Sequence, residues 1–450
     1  MIKKSDRLLR HAKRAGLVAL FGLFLLYMYV STTPVFKSNQ IKSEKSCCTA
    51  PKGYADASLK SELLTLCNAI KFRTLERYLT IFADGRVFIE TGDIGDMWIR
   101  DSAIQMRNFV HIPKFKPLIE AFIRTQALYL LSDPYANSFR RSWVVPLESE
   151  KGLRRGGWVA TGNWEPDSVA YFFQFLCDFA EPRMFEDSLV IAAIDETLRV
   201  LAVEQNHSTS DYTYDELPNG GKGSPVATTG LIWGGFRPSD DQQTYGYNIP
   251  VNVFIHSALS RLLGWYRNGN ERITKILSGI ESGLSLHGIK NGMYAYEVDG
   301  FGNSLLGFDD ANVPSLLSLP LLNYTHFDKE VYKKTRAAIL SKQNPQFFIG
   351  SGIEGIGSPH TPPGHVWPLS IMTRALTSTD SVEIQAQLSY LLSTLCGTAS
   401  IHESVSTLNL NTCTRTDFEW ANSVYVELMQ QLFPGSCLLD TFVLNKLKRG

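Results

Sequence analysis

Apolar residues recur at helical spacing along most of the chain beyond Ser58. The stripes cover residues 118–131, 169–179, 189–203, 251–265, 273–286, 313–321, 331–340, 371–376, 384–395 and 421–432, each interleaved with polar positions. Side chains three and four residues apart share one helix face, so each stripe predicts an amphipathic helix with one buried side. Residues 78–90 alternate instead, with Asp84-Gly85 between the halves, and predict a small β-hairpin. No low-complexity tract or linker splits the pattern.

The residues that do not suit helices fall into six clusters: 91–102, 154–168, 233–250, 294–314, 354–367 and 402–420. They follow one another at intervals of roughly 50–70 residues, about the length of two helices with their turns. Six helical hairpins with chemistry on alternate connections describe an all-α (α/α)6 toroid, with inner and outer helix rings and one mouth where those connections meet. A plain bundle or α-solenoid leaves the regular return of charged and aromatic loops unexplained.

The N-terminus changes the picture. Lys3, Lys4, Arg7, Arg10, Lys13 and Arg14 precede a charge-free run over residues 15–36. Such a run is long enough to cross a bilayer as a helix, and basic flanks favour the cytoplasmic side. The expected layout is a cytoplasmic tail (1–14), a transmembrane signal anchor (15–36), a stalk (37–57) and a luminal domain (58–450). A cleaved signal peptide is the rival, but no small-x-small cleavage site follows the run. The sequons at Asn206 and Asn323 agree with a luminal domain. Seven cysteines, none at metal-ligand spacing, allow one or two disulfides and leave an odd thiol.

Charge and composition narrow the partner. Lysine plus arginine equals aspartate plus glutamate, at 44 each, and aromatic residues make up 11%. Nucleic acid binding needs a basic surface, so a neutral polymer such as a polysaccharide fits better.

Cluster one packs Asp93, Asp96, Arg100 and Asp101 around Trp98 ahead of a helical stripe. Neighbouring carboxylates repel unless a ligand or cation balances them, and they accept hydrogen bonds from sugar hydroxyls while an indole offers an apolar face. Helix capping by Asp101 or Ser102 is the plainer alternative. Cluster two repeats tryptophan plus acids in Trp164-Glu165-Pro166-Asp167. Cluster three sets Asp240 and Asp241 side by side after Arg237; paired acids in an aromatic setting are a source of one raised pKa, as a general acid needs. Cluster four carries Asp309, Asp310 and Asn312. Cluster five carries His360, His365 and Trp367, and lacks the third ligand that a zinc site would require. Cluster six supplies Glu403, far along the chain from Asp240 and Asp241. Glycoside hydrolysis uses two acids flanking the scissile bond, and separate loops of a toroid can provide them.

Several of these stretches resemble glycoside hydrolase family 125, the exo-acting α-1,6-mannosidases. The motifs are TGDIGDMWIRDSAIQMR, GFRPSDDQQTYGYNIPVN, YEVDGFGN with DDANVPSLLSLP, HTPPGHVW, and HES with EWANSVYVEL, in order over residues 59–433. The resemblance implies an (α/α)6 fold and inversion at the anomeric carbon without metal or other cofactor. It implies a general acid at Asp240 or Asp241 and a general base at Glu403, with roughly 6.5–9.5 Å between carboxyl groups. It further implies that Asp93, Arg100, Asp101, Arg237, Asp309, Asp310, Asn312 and His360 hold the terminal mannose, between walls formed by Trp98 and Trp367. Two departures stand out: Pro166 interrupts a Glu-Leu-Asp-Ser pattern common among relatives, and the N-terminal anchor points to a eukaryotic secretory-pathway member.

The leading expectation is an exo-α-mannosidase in the Golgi or a related compartment, acting on mannose-containing glycans. A catalytically silent mannoside-binding protein on the same scaffold is the alternative. A type II glycosyltransferase ranks third, because no Asp-x-Asp motif sits in a nucleotide-sugar context.

Overall fold

A computed structural model describes residues 57–350 and 352–437. The expected tail, anchor and nearly all of the stalk, with Cys47 and Cys48, lie outside the described residues. Among those described, no helix is long and apolar enough to cross a membrane.

The apolar stripes become helices in two rings. The outer ring holds α1 (Ala57–Arg73), α3 (Lys116–Ser132), α5 (Ser188–Glu204), α7 (Asn270–His287), α8 (Lys329–Ile339) and α10 (Ser381–Ser393). The inner ring holds α2 (Ile99–Arg107), α4 (Pro166–Phe179), α6 (Ile249–Leu263), α9 (Pro368–Leu376) and α11 (Glu419–Leu432). Composition decides the ring. In α7 only one stripe is buried (Ile273, Ile276, Leu277, Ile280, Gly283, Leu284), as suits a helix with one wet side. In α4 everything but Gln174 and Asp178 is buried, which requires a sequence apolar nearly all round.

The sixth inner position corrects the expected helix over residues 313–321. That segment is turns plus the short 3₁₀ turn Leu319–Leu321. Pro320 has no N–H to donate, and Ser315 and Ser318 bond each other's backbone in place of an α-helical ladder. The buried carboxylate of Asp309 accepts the Leu316 and Leu317 N–H groups at 2.8 and 2.9 Å. The segment still completes the ring: Val313 and Leu321 share an internal hollow with Ile104, Tyr171, Phe254, Thr373 and Val424 of the five inner helices.

First and last helices close the circle. The Tyr425 hydroxyl on α11 donates to the Leu63 carbonyl on α1 at 2.8 Å, and Cys67 and Cys437 form a disulfide across 370 residues. Cys396 pairs with Cys413, and Cys177 is a buried free thiol.

Each outer helix hands the chain over one face of the ring to the N-terminus of the next inner element, so the six clusters gather at one mouth. The expected hairpin is there as β1 (Leu79–Ile81) and β2 (Val87–Ile89). The mouth also holds short sheets that alternation did not reveal, including β3 (Met97–Trp98), β4 (Ser138–Val144) and β5 (Gly157–Thr161). β3 has only two residues, too few to show a period, and β4 is buried at its start and exposed along the rest rather than on alternate positions.

Asp309→Ala should lower unfolding stability by about 2–4 kcal/mol, because two buried N–H groups lose their acceptor. Urea denaturation at pH 7 measures it, and a change below about 0.5 kcal/mol contradicts the role given to this carboxylate.

Candidate active site

At the N-terminus of α2 the chain leaves β3 with Trp98 and enters the helix with Arg100 and Asp101, both buried. Asp101 does not cap the helix. Its Oδ2 lies 3.2 Å from Arg100 Nε, while Arg100 Nη1 donates to Glu165 at 2.8 Å and lies 3.2 Å from Asp167. The guanidinium also stands 4.3 Å over the Trp420 ring. One cation thus holds three buried carboxylates. Burial pushes Asp101 up to about 6 despite Arg100, and burial together with Asp240 pushes Glu165 well above the usual carboxylate range. Pro166 sits in the first turn of α4, where a missing N–H costs nothing, so this departure leaves the helix start intact.

Asp240 lies in a tight turn closed by Arg237 and Asp241, at φ +67°, a left-handed conformation unusual for a side chain other than glycine. Two amides clamp one of its oxygens: Asn137 and Asn163 donate to Oδ1 at 2.8 and 3.0 Å. Asn137 is placed by the β3–β4–β5 sheet, in which Trp98 pairs with Ser138 and Ser138 with Thr161. Oδ2 of Asp240 has no hydrogen-bond partner among the described residues and is open to a ligand.

Asp241 faces elsewhere. Its Oδ1 is 3.3 Å from His360 Nδ1, and its Oδ2 is 3.2 Å from Ser239 Oγ. The hydrogen bond that His360 donates to Asp241, opposed by burial and helped by the charges of Asp241, Asp240 and Glu403, raises His360 to about 9 and makes it a cation at neutral pH. His365 turns to Ser404 at 3.1 Å, so the two imidazoles serve different partners.

Glu403 precedes the strand Ser404–Ser406, which lies between His365–Val366 and Cys413–Thr414. That sheet brings Trp367, Glu403 and Arg415 together. Burial raises the Glu403 pKa, while Arg415, with Nη1 at 3.9 Å, a Thr414 hydrogen bond and His360 pull it down. Arg415 also binds Asp93 Oδ1 at 2.5 and 2.9 Å and lies over the Phe418 ring. Gly92 makes this approach feasible: its φ is +73°, and a Cβ there would sit 2.2 Å from the Asp417 carbonyl.

These groups surround one cavity of about 100 Å³, many times the roughly 10–15 Å³ that a single water requires. Its wall includes Trp98, Arg100, Asp101, Ser239, Asp240, His360, Trp367, Glu403, Arg415, Phe418 and Trp420. Of the residues singled out in the sequence, the fold brings Trp98, Arg100, Asp101, Asp240, His360, Trp367 and Glu403 to the cavity. Asp241 stands behind His360, and Asp93 is at the rim on Arg415.

The remaining four are not on the wall. Arg237 is buried against Glu297 at 2.6 Å, Asp309 holds backbone, Asp310 lies 3.1 Å from Ser239 Oγ, and Asn312 is fully buried. Polar spelling marked them as ligand-holding, but partners inside the protein already occupy Arg237, Asp309 and Asp310. Sequence reasoning assigned no role here to Arg415, Asn137, Asn163 or Glu165. Glu165 and Asn163 at least stood in a cluster already noted for its acids and tryptophan.

Four aromatic faces and a pair of carboxylates from different loops are suited to a pyranose ring and its acid–base cleavage. Comparison with known proteins agrees. Residues 60–430 match the family model described as metal-independent alpha-mannosidase (GH125). The meiotically up-regulated gene 157 protein of Schizosaccharomyces pombe is 34% identical over 391 residues, covering 77% of this chain and 77% of that protein. A Streptococcus pneumoniae structure, described as a metal-independent alpha mannosidase in a non-productive complex with alpha-1,6-mannobiose, superposes with a TM-score of 0.75. It is 32% identical, over 84% of this chain and 94% of that one. The glucoamylase of Saccharomycopsis fibuligera shares the fold alone, with a TM-score of 0.55 at 12% identity over 90% of this chain and 99% of that one. The chain therefore belongs to glycoside hydrolase family 125, the metal-independent α-mannosidases.

Proposed function

We propose that this protein is an inverting, exo-acting α-mannosidase that removes terminal α-1,6-linked mannose from glycans of the secretory pathway, anchored by residues 15–36 with its catalytic domain in the lumen. The observation that carries the chemistry is the meeting of Asp240 and Glu403 on the wall of one indole-lined cavity. The α-1,6-mannobiose bound to the pneumococcal relative supports the linkage. In this reading Asp240, rather than Asp241, passes a proton from Oδ2 to the glycosidic oxygen as the C1–O bond breaks. Glu403 takes a proton from the water that bonds to C1 on the other face. Mannose leaves inverted, Asp240 ends ionised and Glu403 protonated, and exchange with solvent resets both. Arg100, Asp101 and His360 bind hydroxyls between Trp98 and Trp367.

Purified protein given a panel of linkage-defined mannobioses should release β-mannose from the α-1,6 isomer, as followed by proton NMR. Asp240→Asn and Glu403→Gln should each lower kcat/KM by at least about 100-fold with unchanged thermal unfolding, and Asp241→Asn by less. Release of α-mannose, or an active Glu403→Gln variant, contradicts the mechanism.

Arg415 opposes the upward push of burial on Glu403. Without it the Glu403 pKa rises further, so more of the base is protonated in mildly acidic solution. The ascending limb of the pH profile of kcat/KM should therefore move to higher pH in Arg415→Ala, and a limb that stays put removes Arg415 from this role.

The luminal placement draws support from the basic flank before the charge-free run and from exposed Asn206 and Asn323 in their sequons. Protein made in eukaryotic cells should gain gel mobility on treatment with peptide N-glycosidase, and the gain should vanish when both asparagines become glutamine. Wild-type protein with unaltered mobility speaks against a luminal domain.

A further inference from the structure

A second concavity lies on the mouth face, in the long connection between α3 and α4. This open groove of about 380 Å³ is lined by Trp143, Trp158, Asp133, Lys151, Arg154 and Arg155. Trp158 is fixed, with Arg86 over its ring at 4.6 Å. Trp143 is 55% exposed near the end of β4, ahead of the exposed Val145 and Leu147. Burying a large aromatic is among the most favourable steps in folding, so an indole left in water beside a ready groove calls for an occupant. Gly156 and Gly157 also line the groove, with left-handed φ of +117° and +61°, and a Cβ on Gly157 would make ordinary van der Waals contact with the Trp143 indole nitrogen at 3.4 Å.

One stretch of chain links the groove to the cavity. A Cβ on Gly162 would fall 2.4 Å from Arg154 Cβ, and the next residue, Asn163, donates to Asp240. The other end of the same hairpin begins at Asn137, the second amide on Asp240. From Ser138 to Trp143 the strand spans roughly 17 Å, a reach of a few sugar units. Donors line the way. Lys151 pairs with Glu148 and Arg154 with Asp133, while Arg155 has no carboxylate within ion-pair distance among the described residues. An indole face flanked by hydrogen-bond donors suits a sugar ring, which is apolar on its face and ringed by hydroxyls.

We infer that this groove is a distal glycan subsite, in which Trp143 stacks against an inner sugar of the leaving group while the terminal mannose occupies the Asp240–Glu403 cavity. The inference rests on the hydrolase reading above and adds a preference for long substrates. Trp143 touches no reacting atom; it sets specificity through binding.

The test compares α-1,6-linked mannobiose with α-1,6-linked mannotetraose on the full chain in detergent, with wild type, Trp143→Ala and Trp143→Phe. For Trp143→Ala, kcat/KM on the tetraose should fall about tenfold, with the mannobiose value within about twofold of wild type. Trp143→Phe should recover most of the loss. Constant mannobiose turnover reports an intact fold. Calorimetric titration of the two sugars into Glu403→Gln, with and without Trp143→Ala, reads the groove independently of turnover. If wild type releases no mannose yet the tetraose binds more tightly through Trp143, the hydrolase reading fails and the subsite stands. Equal losses on both sugars, no loss on either, or Trp143-dependent binding to phosphatidylcholine–phosphatidylserine vesicles without any chain-length effect overturns the subsite.

Discussion

One buried cation holds this site together. Arg100 belongs to α2, its carboxylate partners Glu165 and Asp167 to the start of α4, and the ring it lies over, Trp420, to the start of α11. Three inner helices therefore meet at one guanidinium. Burying a guanidinium among three carboxyl groups carries a heavy desolvation cost, which contacts at 2.8 and 3.2 Å offset and a single missing partner does not. Lysine would be a poor replacement, since a point charge cannot reach three carboxylates and also stack on an indole. This arrangement is worth more as positioning than as stability. It also gathers three carboxyl groups close to Asp240.

The same economy runs through the mouth. Structural hydrogen bonds take up one side of each important group and leave the other to a ligand. Two asparagines occupy Oδ1 of Asp240, Thr414 and Arg415 steady Glu403, and Asp241 keeps His360 charged. The ring supplies rigidity behind them. Its first and last helices are joined by Tyr425 and by the Cys67–Cys437 bridge, so loops one and six, which carry Asp93 and Arg415, are held in register although they lie more than three hundred residues apart.

Much of this was legible in the order of residues. Helices with long apolar stripes stood where expected, because burial of one face leaves a periodic record. The ring followed from the return of aromatic and charged loops at hairpin intervals, and seven of the thirteen candidate residues line the cavity. The failures have physical reasons. Residues 313–321 have apolar spacing, but Pro320, two serines and the Asp309 carboxylate divert their backbone. Asp309 itself reads as a ligand because it stands in a polar run, yet its acceptors point inward. Arg415 is a single arginine in a threonine-rich stretch, and Asn137 ends a loop with no pattern of its own; only the sheets that fold over the mouth give them a role.

The central claim is that Asp240 and Glu403 face one another across a single sugar. A crystal structure of the protein with a sulfur-linked, uncleavable α-1,6-mannobiose measures this directly. The account predicts the terminal ring between Trp98 and Trp367, Asp240 Oδ2 within hydrogen-bond reach of the bridging atom, and a water between Glu403 and C1, with the two carboxyl groups roughly 6.5–9.5 Å apart. A separation of roughly 5–5.5 Å, which leaves no room for that water and belongs to retaining enzymes, or a ring bound away from both acids, would contradict it.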